Sequence, residues 1–169
     1  MDKAYLLLML VLPAIAMACR VVAFSMLDGK LRTPLWNCAL DQLKAVGLYG
    51  LLGPPVGAWP LLVTGVFLQG DLRGLAVVVP GMLMSHAFGA LPAMTTGAVV
   101  GALRPWIPGW RALAVGGVVG AVQTFLLLAA ASMAEKWEHV AIFAAAGAFA
   151  GVVCALTFVG LPGMARRSA

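Results

Sequence analysis

The stretch that decides the fold runs from Gly74 to Leu103, GLAVVVPGMLMSHAFGALPAMTTGAVVGAL, and its 30 residues include no Asp, Glu, Lys or Arg. A bilayer core about 30 Å thick is crossed by about 20 residues of α-helix, so this run is long enough to span a membrane. Of the 169 residues in the chain, 63% are hydrophobic and 10% are charged. A soluble globular protein has about 25% charged residues, so the sequence predicts an integral membrane protein rather than a soluble domain or a disordered chain.

Further apolar runs on both sides predict an all-α, polytopic transmembrane helical bundle of five spans, in a single domain covering residues 1–169. Three of these runs lack charged residues, and one near the N-terminus is interrupted only by Arg20. The predicted spans are residues 4–27, 45–70, 74–103, 112–134 and 140–165. The first run has small residues at Ala16 and Ala18, typical of a signal-peptide cleavage site, but it continues apolar through Leu27, which favours a retained span.

The second predicted span contains Pro54, Pro55 and Pro60. A proline inside a helix removes a backbone hydrogen bond, so we expect this span to be broken or kinked. Trp59 lies near the middle of the run, although tryptophans prefer the membrane interface. The alternative is an interfacial helix over about residues 34–53, followed by a short or re-entrant element.

The distribution of Lys and Arg predicts the orientation. In the five-span arrangement, 3 of the 11 basic residues lie on one side of the membrane and 8 on the other. The smaller group is Lys3, Arg73 and Lys136, and the larger is Arg20, Lys30, Arg32, Lys44, Arg104, Arg111, Arg166 and Arg167. Because cytoplasmic loops are enriched in positive charge, we expect the N-terminus outside, and a hairpin at 104–111 and the C-terminus in the cytoplasm.

Small residues at intervals of four predict close helix packing, because helices in lipid associate where Gly, Ala and Ser let their backbones approach. The third span has six such positions, which sweep about 200° around a helix, so we expect it to be sandwiched between neighbours. These positions are Gly81, Ser85, Gly89, Ala93, Gly97 and Gly101. The same GxxxG motif recurs as Gly116/Gly120 in the fourth span and Gly147/Gly151 in the fifth. The pattern predicts a compact C-terminal three-helix unit.

The segment 88–97, FGALPAMTTG, resembles a segment of small, uncharacterised, multi-span bacterial inner-membrane proteins. The resemblance implies a bacterial inner-membrane protein. It implies no activity and no functional residue.

Polar side chains inside apolar spans are the candidates for a functional role, because burying them in lipid is costly. The candidates are His86, Gln123, Thr95 and Thr96. A lone histidine among small neighbours can relay protons or bind a ligand, but donation to a facing backbone carbonyl is more typical. None of the four uninterrupted runs contains Asp or Glu, which argues against a carrier coupled to protons or cations.

Gln123 lies at the midpoint of the fourth span, where its amide needs a partner. Pro92 leaves the carbonyl of Phe88 without a helical donor. We therefore expect Gln123 to bond this carbonyl, Thr95 or Thr96, and so to fix the helix register.

The sequence gives little support to catalytic, metal or nucleic-acid functions. A nucleophilic site combines Ser or Cys with a base and a carboxylate, and His86 has no carboxylate in its own or a neighbouring uninterrupted span. Glu135, Glu138 and His139 share a short outer loop where charged residues are ordinary, and residues 28–44 are interpreted as an ordinary cytoplasmic connection. The basic residues are too scattered to form a face for nucleic acid. We expect no catalytic residue, cofactor or metal site, and no disulfide among three cysteines without a Cys-x-x-Cys pair.

These patterns favour a small, non-enzymatic inner-membrane protein that acts by helix–helix binding. Its expected partners are the lipid bilayer and another membrane protein, or itself as an oligomer, in the role of an accessory subunit or an immunity-type protein. The alternative is a small oligomeric channel or permease for an ion or small solute, with the second span and His86 lining its path.

Overall fold

The computed structural model describes residues 3–28, 32–69, 75–104, 110–131 and 137–159. They form five α-helices, which are α1 Lys3–Asp28, α2 Arg32–Gln69, α3 Leu75–Leu103, α4 Trp110–Ala130 and α5 Trp137–Val159. Each helix is long and apolar enough to cross a membrane, and no strand occurs in the described ranges. The predicted all-α bundle of five helices is confirmed. The predicted span residues 70, 74, 132–134 and 160–165 lie outside the described part of the chain.

The second helix differs from its prediction in two ways. It begins at Arg32 rather than near residue 45, and it continues as one α-helix through Pro54, Pro55 and Pro60. The predicted break is therefore corrected, and so is the alternative of a separate interfacial helix. Each proline removes one backbone donor, but neighbouring helices in a membrane protein can supply replacement donors to the carbonyls left behind.

α3 packs chiefly against α2, and the two backbones touch at the small residues of α3. A Cβ atom added at Gly97 would lie 2.7 Å from the carbonyl oxygen of Ala45, and one added at Gly101 would lie 2.7 Å from that of Asp41. Such distances leave no room for a side chain. The same pairing extends along the helix, where Gly53 meets Ala93, Pro54 meets Gly89 and Leu62 meets Gly81.

The small residues of α3 lie against α2, and other residues of α3 contact α1 and α4, so α3 does lie between neighbours as predicted. The predicted C-terminal three-helix unit is corrected, because the main neighbour of α3 is α2. A row of residues four apart runs at a slant to the helix axis, so one neighbour that follows the slant can contact the whole row. For α3 that neighbour is α2. Ser85 does not extend the contact through its hydroxyl, which donates to the carbonyl of Met82 in its own helix at 2.6 Å.

α4 and α5 form the second close pair, through the two GxxxG motifs. A Cβ atom added at Gly116 would lie 2.6 Å from the carbonyl oxygen of Gly151, and one added at Gly120 would overlap the carbonyl of Gly147. This is the contact that small residues at this spacing predict.

α1 lies against α3 and α4 and joins the two pairs. Its Ala16 packs with Cys38, Val99 and Ala102 in one buried cluster. A second buried cluster joins the other helices and comprises Tyr49, Val100, Cys154 and Ala155. The core therefore consists of small and medium side chains, with polar groups placed between helices.

Candidate functional site

The most polar region of the bundle lies where α1, α2 and α3 meet, around Arg20. This side chain is 5% exposed. Its Nη2 atom donates to Oδ2 of Asp41 at 2.8 Å, and its Nη1 atom donates to the carbonyl oxygen of Gly101 at 3.1 Å. A buried guanidinium is costly in a membrane unless it is paired, and both contacts reduce that cost.

Local sequence explains why the carbonyl of Gly101 accepts a side-chain donor. It lies in the last turn of α3, where carbonyls lack helical partners and the helix dipole is negative. The residue four positions later is Pro105, which has no backbone N–H. Arg20 therefore caps the C-terminal end of α3 from a neighbouring helix.

Asp41 is shared between two arginines. Its Oδ1 atom accepts a hydrogen bond from Nη1 of Arg104 at 3.3 Å. Arg104 lies just after α3, its side chain is 45% exposed, and its guanidinium stacks over the ring of Phe158 in α5 at 5.0 Å from the centroid. We call Arg20, Asp41 and Arg104 the ionic cluster. It ties α1, α2, α3 and α5 together at one end of the bundle.

Two neighbours in α2 strengthen this region. Gln42 donates through Nε2 to the carbonyl oxygen of Ala98 in α3 at 3.1 Å. Cys38 is buried and packs against Ala16 of α1. The polar groups of one turn of α2 thus reach both adjacent helices.

This cluster was not predicted from the sequence. Asp41 was interpreted as part of an ordinary connection and Arg20 as an interruption of an apolar run, whereas both lie inside helices. The available signal was Arg20 itself, because an arginine inside a span predicts a carboxylate partner, and Asp41 lies on the same predicted side.

Gln123 is fully buried, and its Nε2 atom donates to the carbonyl oxygen of Met9 in α1 at 3.4 Å. The predicted partners, Phe88, Thr95 and Thr96, are therefore wrong. The acceptor is nevertheless of the predicted kind, a carbonyl that a proline leaves without a helical donor. Pro13 lies four residues after Met9 and has no backbone N–H to donate to the carbonyl of Met9. The other amide atom, Oε1, has no hydrogen-bond partner among the described residues.

Thr95 and Thr96 bond within α3. The hydroxyl of Thr95 donates to the carbonyls of Leu91 and Pro92, each at 3.0 Å. That of Thr96 donates to the carbonyl of Pro92 at 2.7 Å. The two threonines therefore satisfy themselves locally and do not meet Gln123 or His86 through hydrogen bonds.

His86 reaches a carbonyl on α2. Its Nε2 atom lies 3.2 Å from the carbonyl oxygen of Leu51, and its Nδ1 atom lies 3.2 Å from that of Met82 in its own helix. Pro55, four residues after Leu51, has no N–H to donate. With a proton on Nε2, His86 replaces that missing donor, which is the structural role predicted as more typical.

A groove of about 330 Å³ opens between α2, α3 and α5 on the outside of the bundle. Its lining is almost entirely apolar and comprises Pro55, Val56, Trp59, Met82, Phe149 and Val153. Trp59, whose position in mid-span was unexpected, is 54% exposed at this groove. An ion or hydrophilic solute needs polar partners along its path, which this groove does not provide.

Within the described residues, no group of three or more His, Cys, Asp or Glu side chains is placed to hold a metal ion. In the same part of the chain, Cys38 and Cys154 are buried free thiols and Cys19 is an exposed one. No protein-family model, curated protein or solved structure matches this chain. What the protein does is therefore inferred from its own residues.

Proposed function

We propose that this chain is a non-enzymatic protein of the bacterial inner membrane that binds other membrane proteins through helix contacts, as an accessory subunit or an immunity-type protein. The observation that carries the proposal is the use of its polar groups. Among the side chains whose burial the structure describes, every buried or half-buried one of Arg, Asp, Gln, His, Tyr, Ser or Thr takes part in a hydrogen bond. Those that bond between helices are Arg20, Asp41, Gln42, Tyr49, His86 and Gln123. Those that bond within their own helix are Ser85, Thr95, Thr96 and Thr124.

This pattern favours a binding protein over a channel or permease. A permeation path requires polar groups or carbonyls that face a continuous lumen. Here the polar side chains hold helices in register, and the groove between α2, α3 and α5 is apolar and open to the outside of the bundle. The chemistry of the described residues therefore supports assembly more than transport.

Two exposed pairs of small residues provide surfaces for a partner helix. Ala14 and Ala18 lie on the outer face of α1, and Ala141 and Ala145 lie on the outer face of α5. Each pair has the spacing of four at which helices approach closely in lipid. The glycine motifs, by contrast, are used inside the bundle.

The test is purification in mild detergent from native membranes, followed by mass spectrometry. We expect a stoichiometric partner, or a stable oligomer of the chain. The double variants Ala14→Leu/Ala18→Leu and Ala141→Leu/Ala145→Leu block one face each, and we expect one of them to lose the partner. The control is Val118→Leu on α4, an exposed site that belongs to neither pair.

The opposite result would be a protein without a partner that conducts an ion or solute in liposomes by itself. That outcome would replace the proposal with the channel or permease.

A further inference from the structure

The groove is lined by side chains of three helices. They are Pro55, Val56 and Trp59 of α2, Met82 of α3, and Phe149 and Val153 of α5. Its volume is about 330 Å³. That value is at the lower end of the range for small-molecule sites, which starts at about 300 Å³.

Basic side chains outnumber acidic ones on α2 and its neighbours at the end that carries the ionic cluster. Arg20 and Arg104 share the single carboxylate of Asp41. Lys44 is exposed and forms no ion pair within the described residues. Since residues three apart are neighbours on a helix surface, Lys44 lies one turn from Asp41. This surface therefore has a surplus of positive charge.

Lys44 and the groove lie on the same face of α2. Pro55 follows Lys44 by 11 residues, which is within about 20° of three full turns and about 16 Å along the axis. Half of a bilayer core is about 15 Å thick. Leu51 lies between them on this face and is 68% exposed. The acyl chain of a lipid whose headgroup lies beside Lys44 therefore reaches the groove within one leaflet.

We infer that α2 carries a site for an anionic phospholipid. The phosphate lies against Lys44, and one acyl chain follows Leu51 into the groove beside Trp59. An anionic headgroup neutralises the surplus positive charge, whereas a zwitterionic headgroup brings a cation of its own. This site is independent of the protein partner proposed above.

Trp59 provides the reporter for the experiment. A protein in which Trp36, Trp106, Trp110 and Trp137 are replaced by Phe retains Trp59 alone. It is reconstituted in phosphatidylcholine vesicles that contain increasing fractions of a lipid with brominated acyl chains, which quench tryptophan on contact. We expect brominated phosphatidylglycerol to quench Trp59 at a several-fold lower mole fraction than brominated phosphatidylcholine.

Two variants separate the headgroup from the groove. Lys44→Gln should abolish the preference for phosphatidylglycerol, whereas Lys3→Gln, at the other end of α1 from Arg20, should preserve it. Val153→Phe should reduce quenching by both lipids, because the larger ring fills the groove. Circular dichroism melting curves equal to that of the single-tryptophan parent show that each variant is folded.

Equal quenching by the two lipids in the parent protein would overturn the inference, as would a preference that survives Lys44→Gln. Unchanged quenching in a folded Val153→Phe protein would overturn the placement of the acyl chain.

Discussion

At the scale of single residues, the molecule repeatedly uses carbonyls that a proline has left without a donor. Gln123 bonds the carbonyl that precedes Pro13 by four residues, His86 bonds the one that precedes Pro55, and Arg20 bonds the one that precedes Pro105. Pro13 and Pro55 each remove an intrahelical bond that a side chain of another helix replaces, whereas the carbonyl of Gly101 lies in the last turn of α3, where the helical donors end. Prolines here create the sites at which helices are joined.

This interpretation predicts that Gln123 and Pro13 are thermodynamically coupled. In Pro13→Ala the backbone N–H of residue 13 can again donate to Met9, so the amide of Gln123 is no longer needed there. Gln123→Leu should therefore destabilise the natural protein more than it destabilises Pro13→Ala. We expect a coupling of about 0.6 kcal/mol and at most about 1.7 kcal/mol, the range measured for hydrogen bonds in membranes.

A double-mutant cycle measures this coupling. It compares the unfolding free energies, in mixed micelles, of the natural protein, Pro13→Ala, Gln123→Leu and the double variant. The matched control is Thr157→Val, which removes a hydroxyl that bonds only within α5. A coupling of zero would show that the bond to Met9 contributes nothing.

The ionic cluster gives a second prediction at this scale. Asp41→Asn leaves Arg20 buried without its counter-charge, and breaking a buried pair in this way costs about 3 to 5 kcal/mol. Lys44→Gln, one turn away on an exposed side chain, should cost less than about 0.5 kcal/mol. The double variant Arg20→Met/Asp41→Asn should regain part of the loss, because it removes the charge itself. Equal stability of Asp41→Asn and Lys44→Gln in the same unfolding assay would show that the pair is not structurally important.

At the scale of helices, the small residues of α3 fix its contact with α2. The contact is closest at Gly97 and Gly101, which meet backbone atoms, and a backbone cannot move aside as a side chain can. A leucine there must separate the helices along the whole seam, which forfeits packing at every other small position.

We therefore expect Gly97→Leu and Gly101→Leu each to destabilise the bundle by about 1 to 3 kcal/mol or to prevent folding. The matched control is Gly47→Leu on α2, where an added Cβ atom would meet nothing within 4 Å. Gly120→Leu tests the α4–α5 pair in the same way. Thermal melting in detergent measures all four variants, and a Gly101→Leu protein as stable as Gly47→Leu would contradict the close packing.

The sequence predicted the five helices well because an uncharged run of about 20 residues has few alternatives to a membrane helix. It did not predict where α2 begins, because Asp41 and Lys44 interrupt the apolar run although the helix continues through them. It did not predict which helix meets α3, because a small residue marks a place of close approach and carries no information about the partner. Likewise, the sequence predicted that Gln123 bonds a carbonyl left without a helical donor by a proline. It did not predict which proline, which is Pro13 rather than Pro92.

At the scale of the whole molecule, the ionic cluster lies at one end of the bundle. Arg20 lies in α1, Asp41 lies in α2 and Arg104 directly follows α3, whereas Lys3 lies at the other end of α1. The eight basic residues assigned to one side by the five-span count include Arg20, Lys44 and Arg104. The cluster therefore belongs to the side that the charge asymmetry predicts to be cytoplasmic.

This orientation is tested by cysteine labelling in intact cells. Cys38 and Cys154 are buried, so Cys19→Ser removes the exposed native thiol. Three single replacements are then added, Ile107→Cys between α3 and α4, Ser168→Cys near the C-terminus, and Glu138→Cys at the start of α5. We expect a membrane-impermeant maleimide to label Glu138→Cys in intact cells, and to label the other two only after permeabilisation.

The reverse pattern would invert the orientation, and would place the ionic cluster and the proposed lipid headgroup site in the outer leaflet. Labelling of Ile107→Cys and Glu138→Cys from the same side would instead show that α4 does not cross the membrane, since that helix alone separates the two positions.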